Sequence, residues 1–183
     1  VLLVDIAIAR QSPDAYANAA KIADALRDQM KTKNDAYGEY QANLLRARIF
    51  GLQNDLKQRL EALEAAESFD PRNETLLLEL ADTDVRTGNS QKAAERLKAC
   101  APEVCTSLRY FRTYIKVLLT DHKLLEAEAV ASKAESAHPE SSDILFAVAN
   151  VLEQRGKIRS AANKYAKAIE KDPKYLEAYL RLA

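Results

Sequence analysis

Residues 142–175 read SDILFAVANVLEQRGKIRSAANKYAKAIEKDPKY, and the spacing of their large and small apolar side chains is that of two antiparallel helices packed together. Leu145, Val148, Ala149 and Leu152 fall on one stripe at helical spacing. Gly156 follows, free to take the left-handed conformation that ends a helix. In the second half Ala161, Tyr165 and Ala168 recur at spacings of four and three, so two alanines let the helices approach while the tyrosine fills the space beside them. Asp172 and Pro173 stop this helix, because proline drives the residue before it out of the helical region, and the same pair suits the start of the next one.

The stretch is one member of a series. A shift of 34 residues aligns Leu77, Phe111, Leu145 and Tyr179, then Leu80, Tyr114, Val148 and Leu182, then Ala93, Ala127 and Ala161. Pro139 and Pro173 stand one period apart, and Pro71 stands two periods before Pro139. This pattern resembles the tetratricopeptide repeat family, whose motif has a large residue, Leu, a small residue and Gly in its first half, and Ala, an aromatic or large residue, Ala and Pro in its second. The resemblance covers residues 74–183 and, more loosely, 40–73. It implies an all-α fold: a right-handed superhelical array of antiparallel helix pairs at 74–107, 108–141 and 142–175, with a degenerate pair at 40–73. Residues 176–183 are then the first helix of a truncated repeat or a capping helix.

Residues 1–39 stand outside the register, since Pro13 would fall inside a first helix and break its hydrogen-bond ladder. Ser12 and Pro13 instead read as the cap and first turn of a helix running to about Lys31, with Tyr16, Ala19, Ala20, Ala23, Leu26 and Met30 on its inner side. The opening VLLVDIAIAR reads as a helix too. It is short, broken by Asp5, and has neither the basic start nor the cleavage site of a signal peptide. A helix from Ala36 carries Tyr40, Leu44, Ala47 and Phe50, and another from about Asp55 carries Leu56, Leu60, Leu63 and Ala66. Arg59 stands where the family has a small Ala, an obstacle to close approach. Asp84 takes the place of Leu118 and Leu152 and is expected to reach water or a base at a helix end, while Pro102 is expected to break a helix early. The chain opens without Met and closes at Leu182 and Ala183 in the middle of a repeat, which reads as a piece of a longer array.

Lys plus Arg and Asp plus Glu each number 27, so no global field favours nucleic acid or an anionic membrane. No apolar run approaches the roughly 20 residues that span a bilayer. The two histidines, His122 in a turn and His138 before Pro139, lie in no metal or nucleophile motif, and the carboxylates read as solvated. No catalytic residue, metal or cofactor is expected, and an enzyme would need catalytic groups elsewhere in a longer polypeptide. Cys100 and Cys105 leave two readings open: a buried small residue at 100 with an exposed thiol at 105, or a disulfide fastening one helix end to the start of the next. The disulfide implies a periplasm or secretory lumen, and free thiols a cytoplasm. Two thiols alone do not complete a zinc shell.

In the family the first helices of stacked pairs line a concave groove. There Arg109, Arg112 and Lys116 would form a basic stripe at spacings of three and four, with Phe146 and Asn150 beside it and Leu78, Asp82 and Arg86 before it. The carboxylate clamp by which some relatives grip chaperone tails is not matched, because its positions hold Leu78 with Asp82 and Asp143 with Ala147. The expected partner is a protein or peptide segment with an acidic group beside an apolar residue. The chain thus reads as a non-catalytic interaction module, placed within a secretion or envelope assembly system if the disulfide forms. Two alternatives are a scaffold that self-associates through Tyr179 and Leu182 in the C-terminal repeat, and a substrate-recruiting array of a larger enzyme.

Overall fold

The computed structural model describes residues 12–101 and 103–182, and among them it has ten helices and no strand. The expected helix at 1–10 and the break at Pro102 lie outside the described residues. Two compact units divide the chain, one running to Asn89 and one beginning at Ser90, so the boundary falls in the turn of the expected 74–107 pair.

The first unit holds α1 (Pro13–Thr32), α2 (Ala36–Leu52), α3 (Leu56–Glu67) and α4 (Glu74–Arg86). Ser12 caps α1, accepting from the Ala15 amide at 3.2 Å, with Pro13 in the first turn. Ala19, Ala20 and Ala23 then bury against Ile49 and Phe50 of α2. Both following turns use one device. Asn34 and Asn54 take left-handed backbone at φ 53° and 57°, and Asp35 and Asp55 cap the next helix by accepting from the Gly38 and Gln58 amides. Asn54, Gly88, His122 and Gly156 all have positive φ and stand one period apart, so the left-handed turn repeats with the 34-residue register.

Arg59 does not keep α2 and α3 apart. Gly51 lies opposite, where an added Cβ would come within 3.3 Å of Arg59 Nη1, and the missing side chain makes room for the arginine. Ala47, Ala62, Leu63 and Ala66 still close on one another and on Leu76 and Leu80 of α4. Asp84, expected to reach water or a base at a helix end, is fully buried at 0% exposure, which rules out the water. Its main-chain carbonyl accepts from the Asn89 amide at 2.8 Å and from Thr87 Oγ1 at 2.9 Å. Leu78, expected beside the groove, is buried as well.

The second unit holds α5 (Ser90–Ala99), α6 (Leu108–Thr120), α7 (Leu124–Ala137), α8 (Ser142–Gln154), α9 (Ile158–Lys171) and α10 (Leu176–Leu182). Ser107 and Ser141 cap α6 and α8. The expected stripe holds: Ala149, Ala161 and Tyr165 pack together, and Leu145 meets Ala168. A second stripe lies one residue earlier. Tyr110 and Val117 on α6, and Ile144 and Val151 on α8, are buried at a spacing of seven. Tyr110 reaches back to the preceding helix and donates its hydroxyl to the Leu97 carbonyl at 2.9 Å. His138 closes α7, with Nε2 2.8 Å from the Thr106 carbonyl and its ring edge-on to Phe111.

Carboxylates expected to be solvated are in part paired. Glu128 meets Arg155 and Lys157, Glu135 meets Lys164, and Glu140 meets Lys171. On α10, Ala178 is buried, while Tyr179 and Leu182 are exposed at 45% and 43%.

This packing makes Ala161 the sensitive position of its pair. Ala161→Leu is expected to lose about 1–3 kcal/mol of stability from overpacking, and the half-buried Ala166→Leu less. Equal losses in thermal melts of the two variants would contradict the register.

Candidate functional site

First helices carry apolar stripes on two sides, and what remains of α6 and α8 faces a groove of about 630 Å³ within the second unit. All five side chains named from the sequence, Arg109, Arg112, Lys116, Phe146 and Asn150, line it. They arrive there because α6 and α8 pack side by side with the same capped start, so the exposed turns of one run along the other.

The groove is less basic than its sequence. Arg112 Nη1 pairs with Asp143 Oδ2 at 3.0 Å, and the Tyr175 hydroxyl donates to Asp143 Oδ1 at 3.1 Å. Burial, then the neighbouring Asp143 carboxylate, pushes the Tyr175 phenol up to about 12. Arg109 and Lys116 are exposed, and their side chains make no hydrogen bond or ion pair with the described residues. Their seven-residue spacing puts two free cations about 10 Å apart along α6.

Phe146 forms a half-buried apolar step between them and the far wall. Its ring centroid lies 5.4 Å from Tyr165 and 5.1 Å edge-on from Tyr175, so one face supports the fold while the rest meets the groove. Asn150 Oδ1 lies 2.7 Å from the Tyr165 hydroxyl, which also lies 2.6 Å from Glu153 Oε2. With one proton to give, the phenol donates to one acceptor at a time. Burial first, and the bond to Glu153 second, raise the Tyr165 phenol well above its ordinary range. Asn150 thus shares the Tyr165 hydroxyl with Glu153.

Asp143 and Tyr175 are not among the site residues named from the sequence. The sequence signal for Asp143 is its opposite sign at the repeat position of Arg109, one turn before the equivalent of Arg112 on the next first helix. Tyr175 leaves no such signal, since it comes from the turn before α10.

Cys100 and Cys105 are joined by a disulfide, with alpha carbons 6.2 Å apart. The accessibility expected for free thiols is reversed, since Cys105 is buried at 4% and Cys100 is half-exposed. Among the described residues no three His, Cys, Asp or Glu side chains gather as a metal site, and no helix is long and apolar enough to cross a membrane.

No protein-family model matches the chain, and no curated protein matches it. Solved structures do. YrrB, a TPR protein with an unusual peptide-binding site, superposes with a TM-score of 0.66 at 15% identity, over 93% of this chain and 92% of that one. MamA AMB-1 does so with a TM-score of 0.69 at 19% identity, over 94% and 99%. TTC0263, a thermophilic TPR protein in Thermus thermophilus, gives 0.64 at 18% identity, over 90% and 97%. The chain therefore has the tetratricopeptide repeat fold.

Protein isolated without reductant is expected to leave Cys100 and Cys105 unlabelled by an alkylating reagent in mass measurement. Reduction is expected to lower stability by roughly 2 kcal/mol, the loop-closure value for so short a ring. Full labelling of both thiols in native protein would contradict the pairing.

Proposed function

We propose that a chain with this fold and this groove is a non-catalytic interaction module, and that the groove along α6 and α8 receives a protein segment with acidic side chains flanking an apolar one. The convergence of Arg109, Lys116 and Phe146 carries this reading, because it sets two uncommitted cations on α6 in the same groove as an apolar step from α8. That YrrB, which has this fold, has a peptide-binding site supports a peptide as the kind of ligand. Arg112 contributes less than its exposure suggests, since Asp143 already occupies it.

Affinity divides unequally among these contacts. An exposed ion pair is worth about 0.2–1 kcal/mol, whereas burying an apolar side chain is worth about 1.5–3 kcal/mol. The charges therefore set orientation and association rate, and the apolar residue against Phe146 supplies more of the holding energy. Binding is accordingly weak and sensitive to salt.

Reversing both free cations in Arg109→Glu/Lys116→Glu is expected to weaken capture of the native partner severalfold at low salt with little change in melting temperature. Arg112→Ala is expected to weaken it less. If the doubly reversed protein captures the same partner equally well at low and high salt, the stripe is only a solvated face. Light scattering on the same samples separates this reading from self-association through the exposed Tyr179 and Leu182.

A further inference from the structure

The first unit has a groove of its own, about 600 Å³ along α2 and α4, walled by Tyr40, Leu44, Leu52 and Thr75 and carrying the exposed Arg48 of α2. A second cation enters it from α3. Arg59 starts on α3, lies flat over Gly51 of α2 from Cδ to Nη1, and ends in this groove beside Glu79 of α4. At the equivalent repeat positions this chain has Ala93, Ala127 and Ala161, so packing asks only for a methyl group there.

The guanidinium is held mostly out of water, its side chain 15% exposed, yet it is thinly satisfied. Among the described residues its one acceptor is Glu79 Oε2 at 3.5 Å, the outer edge of hydrogen-bond range, and its buried Nε has no partner there. A charge so desolvated and so weakly compensated is costly to the fold that carries it, and a second carboxylate at the Nη end of the guanidinium would add compensation. The planar fork of arginine fits a carboxylate in particular.

We propose that Arg59 is the anchor of a second ligand site, and that this groove takes the Asp or Glu carboxylate of a protein segment with an apolar neighbour on Tyr40, Leu44 and Leu52. Glu79 is the internal competitor, half held by Arg59 and 39% exposed. The site draws only on α2, α3 and α4 and does not rest on the groove along α6 and α8.

The test is a titration of the full chain, followed by the arginine Nε–H resonances, with acetyl-Leu-Glu-Leu-amide and acetyl-Leu-Gln-Leu-amide. The Arg59 signal is expected to move and saturate with the Glu peptide, and the Gln peptide to bind about tenfold more weakly. Arg59→Met, which keeps the stem over Gly51, is expected to lose that discrimination while melting no lower than the wild type. Glu79→Gln is expected to bind the Glu peptide several times more tightly. An Arg59 signal unmoved by the Glu peptide, or equal binding of the two peptides, would overturn the site. So would an Arg59→Met variant that melts lower together with a Glu79→Gln variant that binds no better, since Arg59 would then be a structural ion pair. The Arg109 and Arg112 signals in the same spectra report the other groove separately.

Discussion

The first helices α6 and α8 each bury apolar residues on two sides, more than one partner helix can cover. On α8, Leu145 and Ala149 serve the pair they belong to, while Ile144 and Val151, on a stripe one residue earlier, are buried as well. Burying each of the latter is worth about 1.5–3 kcal/mol, several times an exposed ion pair such as those of Glu128, Glu135 and Glu140. Stacking is thus decided by apolar packing, and the ion pairs of Glu128, Glu135 and Glu140 trim it.

The same constraint makes the groove. With two sides of each first helix committed to packing, only the remaining strip can meet a ligand, and whatever charge it carries is held by a buried framework. On α6 that strip has Arg109, Arg112 and Lys116, and the next first helix cancels one of them with Asp143. In the earlier unit the groove has Arg48 from α2, and a further cation arrives from α3 through the gap at Gly51. Both grooves therefore join apolar walls to a small number of positive groups, by different routes.

Most of the fold was legible because period is a one-dimensional signal. The alanines at 93, 127 and 161 mark helix contacts directly. The turn series was only partly legible: Gly88 and Gly156 announce left-handed backbone, and His122 was read into the same turn, but Asn54 hid the fourth member behind a different residue type. Following a single stripe missed Ile144 and Val151. Arg59 read as an obstacle because its compensation, Gly51, sits on another helix. The five groove residues were legible from helical spacing and the family resemblance together. The Asp143 pairing was not, because it depends on how far one first helix is rotated against its neighbour.

Partner contact through the strip left on α6 is the central claim, and a photo-crosslinking side chain tests it most directly. Benzophenone placed at Thr113, inside the groove, and at Lys133, exposed on α7, would be compared in cells making the native partner. The account predicts a discrete crosslinked adduct from position 113 that is competed by an acidic peptide, and none above background from position 133. Equal adducts from both positions, or an adduct from position 133 alone, would contradict it.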